Sequence, residues 1–226
     1  MSTLDITFDF ETCALCPTAA VMSIGAVAWQ RDGVKGTPFF LTEDGEIDST
    51  FVFSRHVDLR GMFVDGFTFD AETSAWWARQ DENAKTAVLQ HDETPLLGVD
   101  IVIDDFFYWI RSLKHEYGFK EVYLWSQGSD FDVAILRNIC QKYGINIPVS
   151  YKNFRDHRTF YMEGAHIICD IAGAEFEPGK AYSLVDEYDG EGVPHDSVYD
   201  CKRSIWNTWQ MMRHLRCLKQ VTIKSE

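Results

Sequence analysis

Asp9 and Glu11 stand two residues apart in Asp5-Ile-Thr-Phe-Asp-Phe-Glu-Thr12, where Ile6, Phe8 and Phe10 alternate with Thr7, Asp9 and Glu11. That period of two marks a strand with two different faces, and it places both carboxylates side by side on one of them. Adjacent anions on a strand entering a core repel each other and resist desolvation. Such a pair either lines the solvated face of an edge strand or holds a cation. Two further acids bear on that choice. Asp132, in Gly128-Ser-Asp-Phe-Asp132, lies where a strand gives way to a helix, a common place for ligand sites in α/β proteins. Its plainer use, shared with Asp130, is as a helix cap. Asp200, in Pro194-His-Asp-Ser-Val-Tyr-Asp200, falls in the first turn of a helix starting near Ser197. His195 sits just ahead on the loop, free to turn towards the same space. Here the plainer reading makes Asp196 or Ser197 the cap and His195 a surface histidine.

Together the acids have an economical explanation. Carboxylates from a first strand, a strand-to-helix junction and a late helix converge on two divalent cations. Two hard ions about 3.5–4 Å apart activate a water and stabilise the leaving oxygen of a phosphodiester. An all-oxygen shell suits Mg²⁺ or Mn²⁺. A mobile histidine with an ordinary pKa near ~6.5 then takes the proton of that water.

The elements that must position these residues follow from hydrophobic periodicity. After the first strand, Ala19–Trp29 reads as a buried strand and Gln30-Arg-Asp-Gly33 as a turn, with short strands at Phe39–Leu41 and Thr50–Ser54. The opening is thus an antiparallel meander. Leu59–Phe69 loses the pattern while keeping Phe63, Phe67 and Phe69, as a packed loop or a ligand-facing surface does. Asp70–Arg79 reads as a short helix capped by Asp70 or Thr73, and Asp81–Gln90 as a second. Val99–Tyr117 carries the stripe Ile103, Phe106, Phe107, Ile110, Leu113 and Tyr117, and Gly118 closes it. Glu121–Trp125 is a strand, followed by a helix from the Asp132 region to Tyr143. Asn153–Thr159 holds a short strand that leads into a helix near Phe160. A long helix runs from Ser197 to about Lys219. The fold class is α/β, one domain over 1–226: a mixed sheet, antiparallel strands first and βα units after, with helices on both sides.

Composition sets the outer limits. Hydrophobic residues at 46% mark a folded globular chain, and the net charge of −14 excludes a protein that coats nucleic acid with a broad basic surface. It leaves room for an enzyme that engages only a strand end, where bound cations supply the positive charge. No apolar run nears the ~20 residues that span a bilayer, and no secretory signal is visible, so a cytoplasmic protein without membrane partners is expected. Scattered cysteines are then reduced thiols. Cys13-Ala-Leu-Cys16 has zinc-knuckle spacing without a second ligand pair, which makes a structural zinc the minor reading.

Three motifs now stand in order: Asp9-Phe-Glu11; Phe131-Asp132 followed by Ile135-Leu136; and His195, four residues, Asp200. In order and internal spacing the chain resembles the DnaQ-like exonucleases of the DEDDh type, over nearly its whole length. Asp9-Phe-Glu-Thr12, Trp76-Trp77, Arg155-Asp156 with Arg158-Thr159, and His195-Asp-Ser197 with Asp200-Cys201 liken it most to the T4-type phage exonuclease A and the bacterial ribonuclease AS group. It departs from many members by Gly128-Ser129-Asp130 ahead of the second motif, where they carry an asparagine. The resemblance implies a ribonuclease H-like fold and a site in which Asp9, Glu11, Asp132 and Asp200 hold two Mg²⁺ or Mn²⁺ ions. His195 would be the general base. The activity implied is a 3′–5′ exonuclease acting on the 3′ end of a single strand, DNA favoured and RNA the alternative, in the cytoplasm of a bacterial or phage-infected cell. It also raises a homodimer, with Leu59–Phe69 as its candidate interface.

Substrate contacts are expected from Trp76 and Trp77, which face directions about 100° apart on a helix: either one stacks on the terminal base, or both fill the helix–sheet interface. Phe10 is a wedge or a core residue, and Thr12 a hydrogen-bond partner. Arg155 and Arg158 match a phosphate with their forks, or salt-bridge an acidic surface.

Overall fold

The computed structural model describes residues 3–89 and 95–223. Strand β1 (Thr3–Thr12) lies inside a six-stranded sheet, antiparallel to β2 (Val21–Val34) and parallel to β5 (Glu121–Ser126). Beyond β2, β3 (Thr37–Phe39) and β4 (Val52–His56) share its far edge; beyond β5 comes the parallel β6 (Phe154–Asp156). The sheet order is β3-β2-β1-β5-β6, the mixed sheet of the ribonuclease H-like fold. Because β1 has neighbours on both sides, the edge-strand explanation of Asp9 and Glu11 falls away.

The alternation read in β1 separates two cores. Leu4, Ile6, Phe8 and Phe10 join one cluster with α4 (Val99–Glu116) and α5 (Asp132–Tyr143), where the ring of Phe8 lies 6.0 Å from that of Phe106. Ile103, Phe106, Phe107, Ile110 and Leu113 are all buried there, each such side chain worth about 1.5–3 kcal/mol; Tyr117, expected in the same stripe, is the C-cap and stays exposed, because the helix ends before it. On the other face α7 (Ser197–Ile223) covers Val27, Trp29 and Trp125 with Cys201, Ile205 and Met212. Asp5 and Thr7 also point this way, and each is satisfied. Arg31 grips Asp5 with two bonds of 2.9 and 2.7 Å, and Trp125 Nε1 donates to it at 2.6 Å. Thr7 Oγ1 accepts from Trp29 Nε1 at 3.0 Å and shares a hydrogen bond of 2.8 Å with His157 Nε2. His157 Nδ1 shares another, of 2.7 Å, with Thr208 Oγ1, so both ring nitrogens are partnered.

The expected turn at Gln30–Gly33 is a correction. β2 continues to Val34, because Arg31, held by Asp5 and lying over Tyr123 and Trp125, keeps the backbone in the sheet. A register shift between Trp29 and Val34 absorbs Gly33, at φ 63° and too close to Trp209 to carry a side chain. Lys35 and Gly36, at φ 55° and 82°, make the hairpin instead, the two positive angles a tight two-residue turn needs.

Leu59–Phe69 is also more ordered than its pattern suggests. Asp58 accepts from Arg60 N and starts α1 (Leu59–Val64), which leaves Phe63 and Val64 exposed and is followed by a buried Phe67. α2 (Ala71–Ala78) is capped by Asp70 and α3 covers Glu82–Leu89. The expected end of that helix at Gln90 lies outside the described residues. α6 (His157–Ala172) follows β6 directly, and a 3₁₀ segment, Pro178–Leu184, precedes the loop to α7. Among the described residues no helix is long and apolar enough to cross a membrane.

Candidate active site

Asp9 and Glu11 leave β1 on the face that α7 covers. Asp200, in the first turn of α7, comes down onto them, so that one oxygen of each lies within 4.8 Å of the others. Gly25 makes this approach possible. It faces Asp9 across the sheet, and a Cβ there would lie 2.6 Å from Ser197 Oγ and from the backbone of Ser197 and Val198. One residue on, Cys201 Sγ lies 3.5 and 3.6 Å from the carbonyls of Thr7 and Gly25, its weak thiol donor shared between the two strands. Asp196 starts the helix by accepting from Tyr199 N at 2.8 Å, as one sequence alternative has it. Asp132 is the first residue of α5, but it does not cap it. Its buried carboxylate reaches across to accept from Phe10 N at 3.2 Å, which ties the second motif to the first. Asp130 stays exposed.

Four carboxyls so placed resist ionising together. Burial, then the charges of Asp200, Asp196 and Asp132, push Glu11 up to about 9. Burial pushes Asp132 up to about 7 in spite of the Phe10 N–H and the nearby Arg158. Asp9 is raised well above the usual carboxylate range by burial and by Asp132, Glu11 and Asp200, with Arg203 opposing. Asp200 is raised by burial, against the pull of Arg203 and of His195. Asp200 Oδ1 is buried without a hydrogen-bond partner among the described residues; Arg203 lies 3.3 Å away, close enough for charge but outside hydrogen-bond geometry. An all-oxygen donor set whose four carboxyls outnumber the cations beside them, with one oxygen orphaned, fits a hard divalent cation. Cys13 and Cys16 belong to no metal-type cluster among the described residues.

His195 is half-buried on the loop before α7, at φ 68°, a left-handed conformation unusual outside glycine. Its ring stands edge-on to Trp76, centroids 4.9 Å apart, and 6.1 Å from Trp77. The two tryptophan rings line a cleft of about 500 Å³ that opens beside Glu11. Phe10, Thr12, Trp76 and Trp77, four residues expected to touch substrate, meet in it. The two tryptophans divide as their spacing requires. Trp77 is buried and donates Nε1 to Thr12 O at 3.0 Å, whereas Trp76 is 38% exposed. Thr12 donates its hydroxyl to Ala14 O at 2.8 Å, which shapes the loop and leaves only its acceptor side free. Leu15 and Phe131 complete the apolar lining and were not singled out as contacts, since neither has a polar group to give a role away.

The two arginines part company. Arg158 is exposed near the acids and draws Asp132 down. Arg155 is not brought to them: its Nη1 donates to the carbonyls of Lys152 and Phe154, and its guanidinium lies over Tyr123 at 4.5 Å. Arg203 was missed, although three residues past Asp200 on a helix is a spacing that puts it on the same face.

The sequence matches, over residues 5–212, the family described as the 3′-5′ exoribonuclease Rv2179c-like domain. No curated protein is similar enough in sequence to match. Among solved structures, cell-death related nuclease 4 (CRN-4) superposes with a TM-score of 0.59 at 14% identity, over 93% of this chain. The chain spans 64% of the length of that protein. The nuclease domain of 3′hExo, described as a DEDDh family member bound to rAMP, superposes with a TM-score of 0.55 at 16% identity, over 95% of this chain and 92% of that one.

Proposed function

The chain belongs to the Rv2179c-like 3′-5′ exoribonuclease domain family, within the DnaQ-like DEDDh superfamily, and on that footing we propose that it removes nucleotides one at a time from the 3′ end of single-stranded RNA. The observation that carries the reading is the convergence of Asp9, Glu11 and Asp200, from two elements far apart in sequence, with Asp132 tied alongside. RNA replaces DNA as the favoured polymer because the family is described by an exoribonuclease activity.

In this reading Asp9, Glu11, Asp132 and Asp200 hold two divalent cations, Mg²⁺ or Mn²⁺. Bound there, such ions supply the positive charge that draws in a phosphodiester and the acidity that readies a water for attack. The chain's own residues do the rest. Trp76, Phe10, Leu15 and Phe131 take the terminal base, a stack worth about 1–3 kcal/mol that tolerates any sequence. Trp77 anchors that wall through Thr12. His195 accepts the proton of the attacking water at an imidazole nitrogen, and its edge contact with Trp76 links its position to an occupied base cleft. The product is a nucleoside 5′-monophosphate.

The test is the degradation of 5′-labelled RNA and DNA of matched sequence in Mn²⁺ or EDTA, by wild type and Asp9→Ala. A ladder shortening from the 3′ end, faster on RNA, dependent on the ion and absent in the variant is the expected result. A ladder faster on DNA would reverse the polymer assignment, and no ladder in Mn²⁺ would reject the activity.

A further inference from the structure

A second cleft, of about 670 Å³, borders the acids through residues entirely different from those of the aromatic one. Two guanidiniums enter it. Arg203 lies 3.3 Å from Asp200 Oδ1, and Arg158, in the first turn of α6, acts on Asp132. Both are exposed, and Arg158 forms no ion pair among the described residues. The cleft also holds a chain of neutral polar groups: Ser204 Oγ donates to Gln127 Oε1 at 3.4 Å, and Gln127 Nε2 to Tyr182 Oη at 3.3 Å. Asn207 lies one turn further along the helix, so α7 presents Asp200, Arg203 and Asn207 in a row at helical spacing. Glu187 is the one anion in the lining.

We propose that this cleft binds the phosphodiester immediately 5′ of the bond being cut, its phosphate held between Arg158 and Arg203. The inference rests on the exonuclease reading and adds the path of the strand. An aromatic cleft and a cationic polar cleft meet at one set of carboxyls, and a nucleic-acid strand has two matching parts, bases and phosphates. The base goes to the tryptophans and the next phosphate to the arginine forks, which match its oxygens bidentately. Neutral Gln127, Tyr182 and Ser204 suit the sugar between them. On a chain of net charge −14, such a pair of guanidiniums beside the acids adds local attraction for the strand to that of the bound cations.

The experiment uses the full chain in Mn²⁺ and an oligonucleotide in which only the linkage 5′ of the scissile bond is a neutral methylphosphonate. Release of the 3′-terminal nucleotide is followed in a single turnover. Wild type is expected to slow by about tenfold or more on the neutral linkage, the loss that follows from removing charge-assisted contacts. Arg158→Gln should slow on the normal oligonucleotide and show a smaller further loss on the neutral one, the remainder belonging to Arg203. Trp76→Ala should be slower on both while keeping the tenfold ratio. Glu187→Gln should speed the normal oligonucleotide alone. Wild type indifferent to the neutral linkage, or Arg158→Gln keeping the full ratio, overturns the inference and leaves the exonuclease reading standing. Failure of wild type to release any nucleotide overturns both.

Discussion

Glu11 is a carboxyl that folding disfavours in its charged form. Its pKa is raised in the folded chain to about 9 from an ordinary 4.5, so what it contributes to stability is fully present below 4.5 and is lost as pH rises through 9. Glu11→Gln removes that loss. In metal-free protein it should raise the melting temperature at pH 8 by at least about 2–4 °C, the shift that 1 kcal/mol brings to a chain of this size, and by little at pH 4. The same variant should lose activity, because stability and the site ask opposite things of one side chain. His195→Ala should leave the melting temperature within a degree or so of wild type yet lower kcat by about 10²–10⁴, the usual contribution of a general base. Circular dichroism and single-turnover rates check both. That Asp9 and Glu11 stand side by side was legible because the period of a strand fixes which face each takes; the grouping of Asp132, Asp200 and His195 with them was legible only through the motifs of the resemblance. Arg155 was misread because its competing partners, two backbone carbonyls and the ring of Tyr123, come together only in the fold.

Between elements, the decisive contact is the start of α7 against β2. Gly25→Ala would set a methyl 2.6 Å from helix backbone that has no flexible end to yield. We expect destabilisation of about 1–3 kcal/mol, with near-complete loss of activity, because the shift carries Asp200 and His195 away from Asp9. Denaturant unfolding and a metal-binding titration separate the two effects. Nothing in the sequence marks Gly25 out: Ser-Ile-Gly-Ala-Val reads as strand whichever small residue stands there. Order and type of the main elements were legible, since α4 carries a strong periodic stripe and both α4 and α5 are followed by closing glycines, Gly118 and Gly144. The second cleft was not, being built from the end of β5, a 3₁₀ segment and one face of α7 that no local pattern connects.

Across the molecule, acid and alkali attack different places. His157 is buried as a neutral ring with its pKa lowered to about 3, so its share of stability is present above an ordinary 6.5 and is lost as pH falls from there towards 3. The carboxyl cluster works the other way, and cations that neutralise it should stabilise most where it is ionised. Adding EDTA should therefore lower the melting temperature clearly at pH 8 and barely at pH 5, with the Mg²⁺ or Mn²⁺ protein as reference; equal effects at both would separate the metal from the carboxyls. One further consequence lies at the margins of the sheet. β3 and β6 are three residues each, and β3 and β4 divide the far edge of β2 between them. Among the described residues no long row of open backbone groups is offered there for a second copy to extend as cross-β, so concentrated solutions should resist amyloid-like growth.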